Sequence, residues 1–100
     1  MKKIYFTLTG TNHYYGKDFI NPDMKLTLVK EPDNAFDKEA IKVVHEALGT
    51  IGYVANSPYT MVGEKSYSAG RLYDKIGDTV ECTVLFKLAQ GILCFVEVEE

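Results

Sequence analysis

Cys82 and Cys94 are the only cysteines in the chain. Both lie inside alternating apolar runs, the setting of buried reduced thiols rather than of a disulfide or a metal pair. His13 and His45 add no close-spaced partner to them, so no metal or other cofactor is expected. No apolar segment approaches the roughly 18 uninterrupted residues needed to cross a bilayer. The opening MKKIYFTLTG carries two lysines ahead of an apolar stretch, yet it alternates with threonines and lacks a cleavage site, so it reads as a strand and not as a signal peptide. The expectation is a cytoplasmic protein with no membrane partner. Low-complexity tracts, long runs of like charge and internal repeats are absent as well, and order is expected nearly end to end.

A basic excess is also missing. The formal net charge is −3 and the pI near 5.3, which argues against a protein that tracks many phosphates with clustered Lys and Arg. The imbalance is local. Residues 1 to 50 carry seven lysines and seven acids, whereas residues 51 to 100 carry four basic and seven acidic side chains. No serine, cysteine or lysine nucleophile motif accompanies the carboxylates Glu31, Asp33 and Asp37, and GTIG lacks the lysine and helix of a phosphate loop. A non-enzymatic chain without a small-molecule substrate is the resulting expectation.

What the chain does have is alternation. One hundred residues, 46% of them hydrophobic, suffice for one domain over residues 1–100 that buries about 60 to 70% of its unfolded surface. Ile4, Phe6 and Leu8 recur at period two in residues 3–10, and Met24, Leu26 and Leu28 do so in residues 24–30, stopping before Pro32. The intervening TNHYYGKDFINPD is an aromatic-rich loop and a candidate binding surface. DKEAIKVVHEALG fits a helix or a strand by periodicity, although TIGYVA after it makes a hairpin of residues 40–46 and 50–55 attractive. Asn56 or Ser57 as N-cap and Pro58 at the first turn predict a short helix, interrupted by Gly63 and Gly70. Val80 to Phe86 and Ile92 to Val98 form a closing hairpin about a turn at 88–91. The fold class is mainly β: a small, partly open OB-fold-like barrel of about six strands with one or two short helices.

EPDNAFD at residues 31–37 is the segment with most to say. Pro32 ends the strand, and Asp33, Asn34 and Asp37 have side chains that cap local backbone groups, Asp33 most plainly. Phe36 stands among polar neighbours, where its ring either plugs the barrel or offers a stacking face.

LTLVKEPDNAFDKEAIKV, followed by GTIGYVA and SAGRLYDKI, resembles the HIRAN domain, whose pattern couples an EPxNxxDxxAIxV core to an IGY strand. The resemblance implies a modified OB-like barrel, strands over 40–46 and 51–55, and a clamp for the 3′ end of single-stranded DNA in repair or replication-fork processing. On it, Asn34 and Asp37 would hydrogen-bond the terminal nucleotide, and Phe36 would stack its base against Tyr14, Tyr15 or His13 of TNHYYG. Tyr53 of the IGY strand belongs to the same site. The arginine of the family pattern is replaced by Asn12 or His13, and no basic residue follows IGY, which leaves Arg71 and Lys75 to compensate if their helix faces the groove. The implied partners are a single-stranded DNA end and an ATPase, helicase or other protein. The alternative is a protein-interaction adaptor using the same aromatic loops without DNA.

Overall fold

A computed structural model describes residues 1–62 and 65–99. Six strands appear: β1 (Lys2–Thr9), β2 (Lys25–Lys30), β3 (Ile41–His45), β4 (Gly49–Val54), β5 (Thr79–Leu88) and β6 (Gly91–Val98). A 3-10 turn at Thr11–His13 and one short helix, α1 (Ala69–Tyr73), complete the order. All neighbouring strands are antiparallel in the sequence β1-β4-β3-β2-β5-β6, and the sheet closes. The barrel is therefore not partly open. Its seam is narrow, because β1 meets β4 only through Leu8 and Thr9, opposite Val54 and Tyr53.

Period-two alternation dictates the interior. Ile4, Phe6 and Leu8 of β1, Leu26 and Leu28 of β2, Ile41 and Val43 of β3, and Val84 of β5 are all buried in one cluster, as alternate residues of a strand facing one side must be. Cys82 and Cys94 belong to the same cluster as free thiols. Burial pushes the Cys82 thiol up to about 12 and raises that of Cys94 as well. The β3–β4 hairpin turns through Gly49 at φ 80, and the His45 ring accepts the Ala47 and Leu48 amides at 3.1 and 3.3 Å. That imidazole is a turn cap. No helix among the described residues is long and apolar enough to cross a membrane.

One expected element is elsewhere. Residues 58–60 form a turn, closed by the Thr60 amide on the Ser57 carbonyl at 3.0 Å, and the helix expected at Pro58 does not form. Beyond the turn two anchors strap the chain onto β1: the Val62 amide donates to Thr7 Oγ1 and the Tyr67 amide to the Tyr5 carbonyl. Thr7, on the outer face of β1, is buried there. Asn56 is occupied otherwise, and the helix is capped by Ser68, whose hydroxyl accepts the Arg71 amide at 3.3 Å. Gly70, expected as a breaker, lies inside it, and its amide donates to Asn56 Oδ1 at 2.9 Å. Gly63 is outside the described residues.

Candidate functional site

The loop between β2 and β3 is a rigid frame held by its own side chains. Asn34 Oδ1 accepts the Phe36 and Asp37 amides at 2.9 and 3.0 Å, and Asp37 Oδ1 accepts the Glu39 amide at 2.9 Å. Backbone bonds from Glu31 N to Ala40 O, Asn34 N to Glu31 O and Ala40 N to Asp37 O close its base. Asp33, expected to be the main cap, is exposed and makes no side-chain hydrogen bond among the described residues. The reason is local: Asn34 and Asp37 already take the amides that a turn leaves free.

This frame lifts Phe36 into water, 99% exposed. It does not plug the barrel. Behind it lies an open concavity of about 450 Å³ lined by Tyr14, Asn34, Phe36, Asp37, Ala40, Tyr53 and Val54. Tyr14 arrives from the turn after β1 and meets Tyr53 of β4 with ring centroids 6.4 Å apart and planes tilted by 42°. β1 passes close to β4 because residue 52 is glycine: a Cβ there would meet Leu8 Cδ1 at 2.6 Å and the Thr9 carbonyl at 2.7 Å.

Glu31 is the hub of the site. Its Oε1 accepts both Tyr53 Oη–H at 2.7 Å and Asn34 Nδ2–H at 3.2 Å, while Lys42 Nζ stands 3.8 Å from Oε2. Partial burial and then the bond to Glu31 push the Tyr53 phenol well above its ordinary range, so it remains a donor. On the other side, Asp37 Oδ2 accepts Asn56 Nδ2–H at 2.9 Å, and Asn56 Oδ1 accepts the Gly70 amide at 2.9 Å. The loop is thereby tied to α1. Two intramolecular bonds leave the Asp37 carboxylate with lone pairs for a ligand hydroxyl.

Five residues singled out from sequence, Tyr14, Asn34, Phe36, Asp37 and Tyr53, share this concavity. His13 and Tyr15 flank Tyr14 and are exposed, but neither lines it. Arg71 stacks on the Tyr67 ring at 4.0 Å and lines a different depression, outside this concavity. No cation lines the concavity. Glu31 and Asn56 went unassigned by sequence reasoning. Glu31 carried the one available signal, as the first residue of EPDNAFD, whereas the pairing of Asn56 with Asp37 spans the β3–β4 hairpin and left none. Among the described residues no group of three or more His, Cys, Asp or Glu side chains gathers as a metal site.

Comparison with known proteins agrees with the architecture. The model of the HIRAN domain family matches residues 1–89. The crystal structure of the HIRAN domain of human HLTF superposes with a TM-score of 0.62 at 19% identity, covering 98% of this chain and 77% of that one. At that identity the likeness concerns the fold. No curated protein matches the sequence.

Proposed function

The chain belongs to the HIRAN domain family, and from that premise we propose that it is a non-enzymatic, cytoplasmic nucleic-acid-binding module that holds the 3′ end of a single DNA strand during repair or replication-fork processing. The observation that carries this reading is the lining of the concavity: three aromatic rings, one amide and one carboxylate, with no cation. Rings suit a splayed-out base, and base–aromatic stacking contributes about 1 to 3 kcal/mol per base. Asp37 suits a sugar hydroxyl, which donates to it, and repels a terminal phosphate, which cannot. Asn34 and Tyr53 are held by Glu31 at the edge of the same space. Recognition would therefore select the chemistry of the end and not the sequence of the strand.

Fluorescence anisotropy with a short oligonucleotide, bearing either a 3′ hydroxyl or a 3′ phosphate, tests the reading. The hydroxyl end should bind at least tenfold tighter. Equal binding of the two ends, or no binding at low salt, refutes it. The lack of a lining cation also favours a second reading, in which the same rings dock a protein. Salt separates the two: an aromatic protein contact barely responds, while even a few phosphate contacts weaken steeply with ionic strength.

A further inference from the structure

Cations missing from the pocket are concentrated elsewhere. Lys2, Lys3, Lys65 and Arg71 surround a depression of about 380 Å³ floored by Ile4, Tyr5 and Tyr67. Lys2 and Lys75 also bound an adjoining one, together with Glu99. Five of the eleven basic side chains in an acidic protein thus line two depressions that share Lys2 and Ile4. Among the described residues the single ion pair is Lys42 with Glu31, so none of the five is paired with a described carboxylate within bonding distance. Glu97 stands opposite Lys3 in the ladder, and Glu99 lines the depression bounded by Lys2 and Lys75.

Aromatic faces hold two of these cations in place. The Arg71 guanidinium lies 4.0 Å over Tyr67, and the Lys3 ammonium lies 4.5 Å over Phe95, which is itself 6.3 Å from Tyr5. A cation resting on a ring keeps its N–H groups directed outward, with part of the ordering entropy already spent. The groove is also joined to the pocket. α1, which carries Arg71, is bonded through Gly70 and Asn56 to Asp37. Along β1, the distance from Lys3 to Thr9 at the pocket end is about 20 Å, a span for a strand of a few nucleotides, and barrels of this kind engage ~4 to 16.

We propose that this basic groove carries the phosphodiester backbone of the strand whose end occupies the pocket, several nucleotides from the terminus. The inference rests on the end-binding reading, and divides the labour between a pocket that reads the end without cations and a groove that supplies electrostatic affinity. The test is anisotropy with strands of about 4 and about 16 nucleotides, each with a free or phosphorylated 3′ end, on the wild type and on a Lys2→Glu/Arg71→Glu variant verified as folded by circular dichroism. The variant should lose about tenfold in affinity for the long strand, and its log–log salt slope should shrink by about 1.4, near 0.7 for each phosphate no longer neutralised. Binding of the short strand should be unchanged. Unaltered binding of the long strand, equal losses at both lengths, or equally tight binding of a polyglutamate peptide overturns the groove. If phosphorylating the 3′ end has no effect while the long-strand loss persists, the end-binding reading falls and the groove stands as a backbone site. If the wild type binds neither strand at low salt, both fall.

Discussion

Glu31 is the residue whose removal should reveal most about how the pocket is held. Its carboxylate receives the Tyr53 hydroxyl and the Asn34 amide on one oxygen and faces Lys42 with the other. Hydrogen bonds to a charged group are each worth about 1.5 to 3 kcal/mol when well buried. The Glu31 side chain is about a quarter exposed, which brings each bond nearer 1 kcal/mol. Glu31→Ala should thus cost about 2 kcal/mol and, at this chain length, lower Tm by roughly 10 °C. Glu31→Gln retains an oxygen that can accept both bonds, though more weakly as a neutral amide, and loses the attraction to Lys42, which at an exposed site is worth about 0 to 1 kcal/mol. Tyr53→Phe removes one bond and should cost about 1 kcal/mol. Combined with Glu31→Ala, it should add less than its single cost, with a coupling of about 0.5 to 1.5 kcal/mol. Urea and thermal denaturation of the four variants measure these differences directly. The reasoning fails if Glu31→Ala melts with the wild type, or if the glutamine variant is as unstable as the alanine one.

Other consequences are as specific. Phe36→Ala should leave stability within about 0.5 kcal/mol because the ring touches little but water, while oligonucleotide affinity drops about fivefold to a hundredfold; a paired melt and anisotropy titration compare the two. Gly52→Ala should destabilise the β1–β4 seam by about 1 to 3 kcal/mol, since its Cβ meets Leu8 and the Thr9 carbonyl, as read by urea midpoint. Cys82 and Cys94 should ignore a thiol reagent at pH 8 until denaturant is added, because both are buried and the Cys82 thiol is pushed up to about 12. An unfolded thiol ionises near 8.5. The stability linked to these thiols is accordingly complete below about pH 8.5 and declines as pH rises toward 12. A Cys82→Ala/Cys94→Ala variant should show a shallower alkaline loss in urea melts repeated across that range.

Strands were legible from residue order wherever a single face is buried. Ile4, Phe6 and Leu8, or Leu26 and Leu28, alternate because the barrel has one interior. Closure was not, because two residue pairs at Leu8 and Thr9 make the difference between an open and a closed sheet, and no local pattern encodes them. The helix went astray for a comparable reason. Asn56 and Pro58 have the chemistry of a helix start, but the strap along β1 and the bond from Asn56 to Asp37 override it, and the Ser68 cap prevails. In the site, EPDNAFD announced a constrained turn, and the exposure of Phe36 settled whether its ring plugs or projects. The stacking of Arg71 on Tyr67 could not be read from SAGRLYDKI, since which way a short helix faces depends on the sheet beneath it.

Amide chemical-shift mapping tests the central claim most directly. A trinucleotide with a free 3′ hydroxyl, titrated into the labelled protein, should move the amides of Tyr14, Asn34, Phe36, Asp37 and Tyr53, the residues that meet in one concavity. The same trinucleotide with a 3′ phosphate should leave them nearly still. Shifts that bypass this set, or that appear equally with either end, would contradict the account.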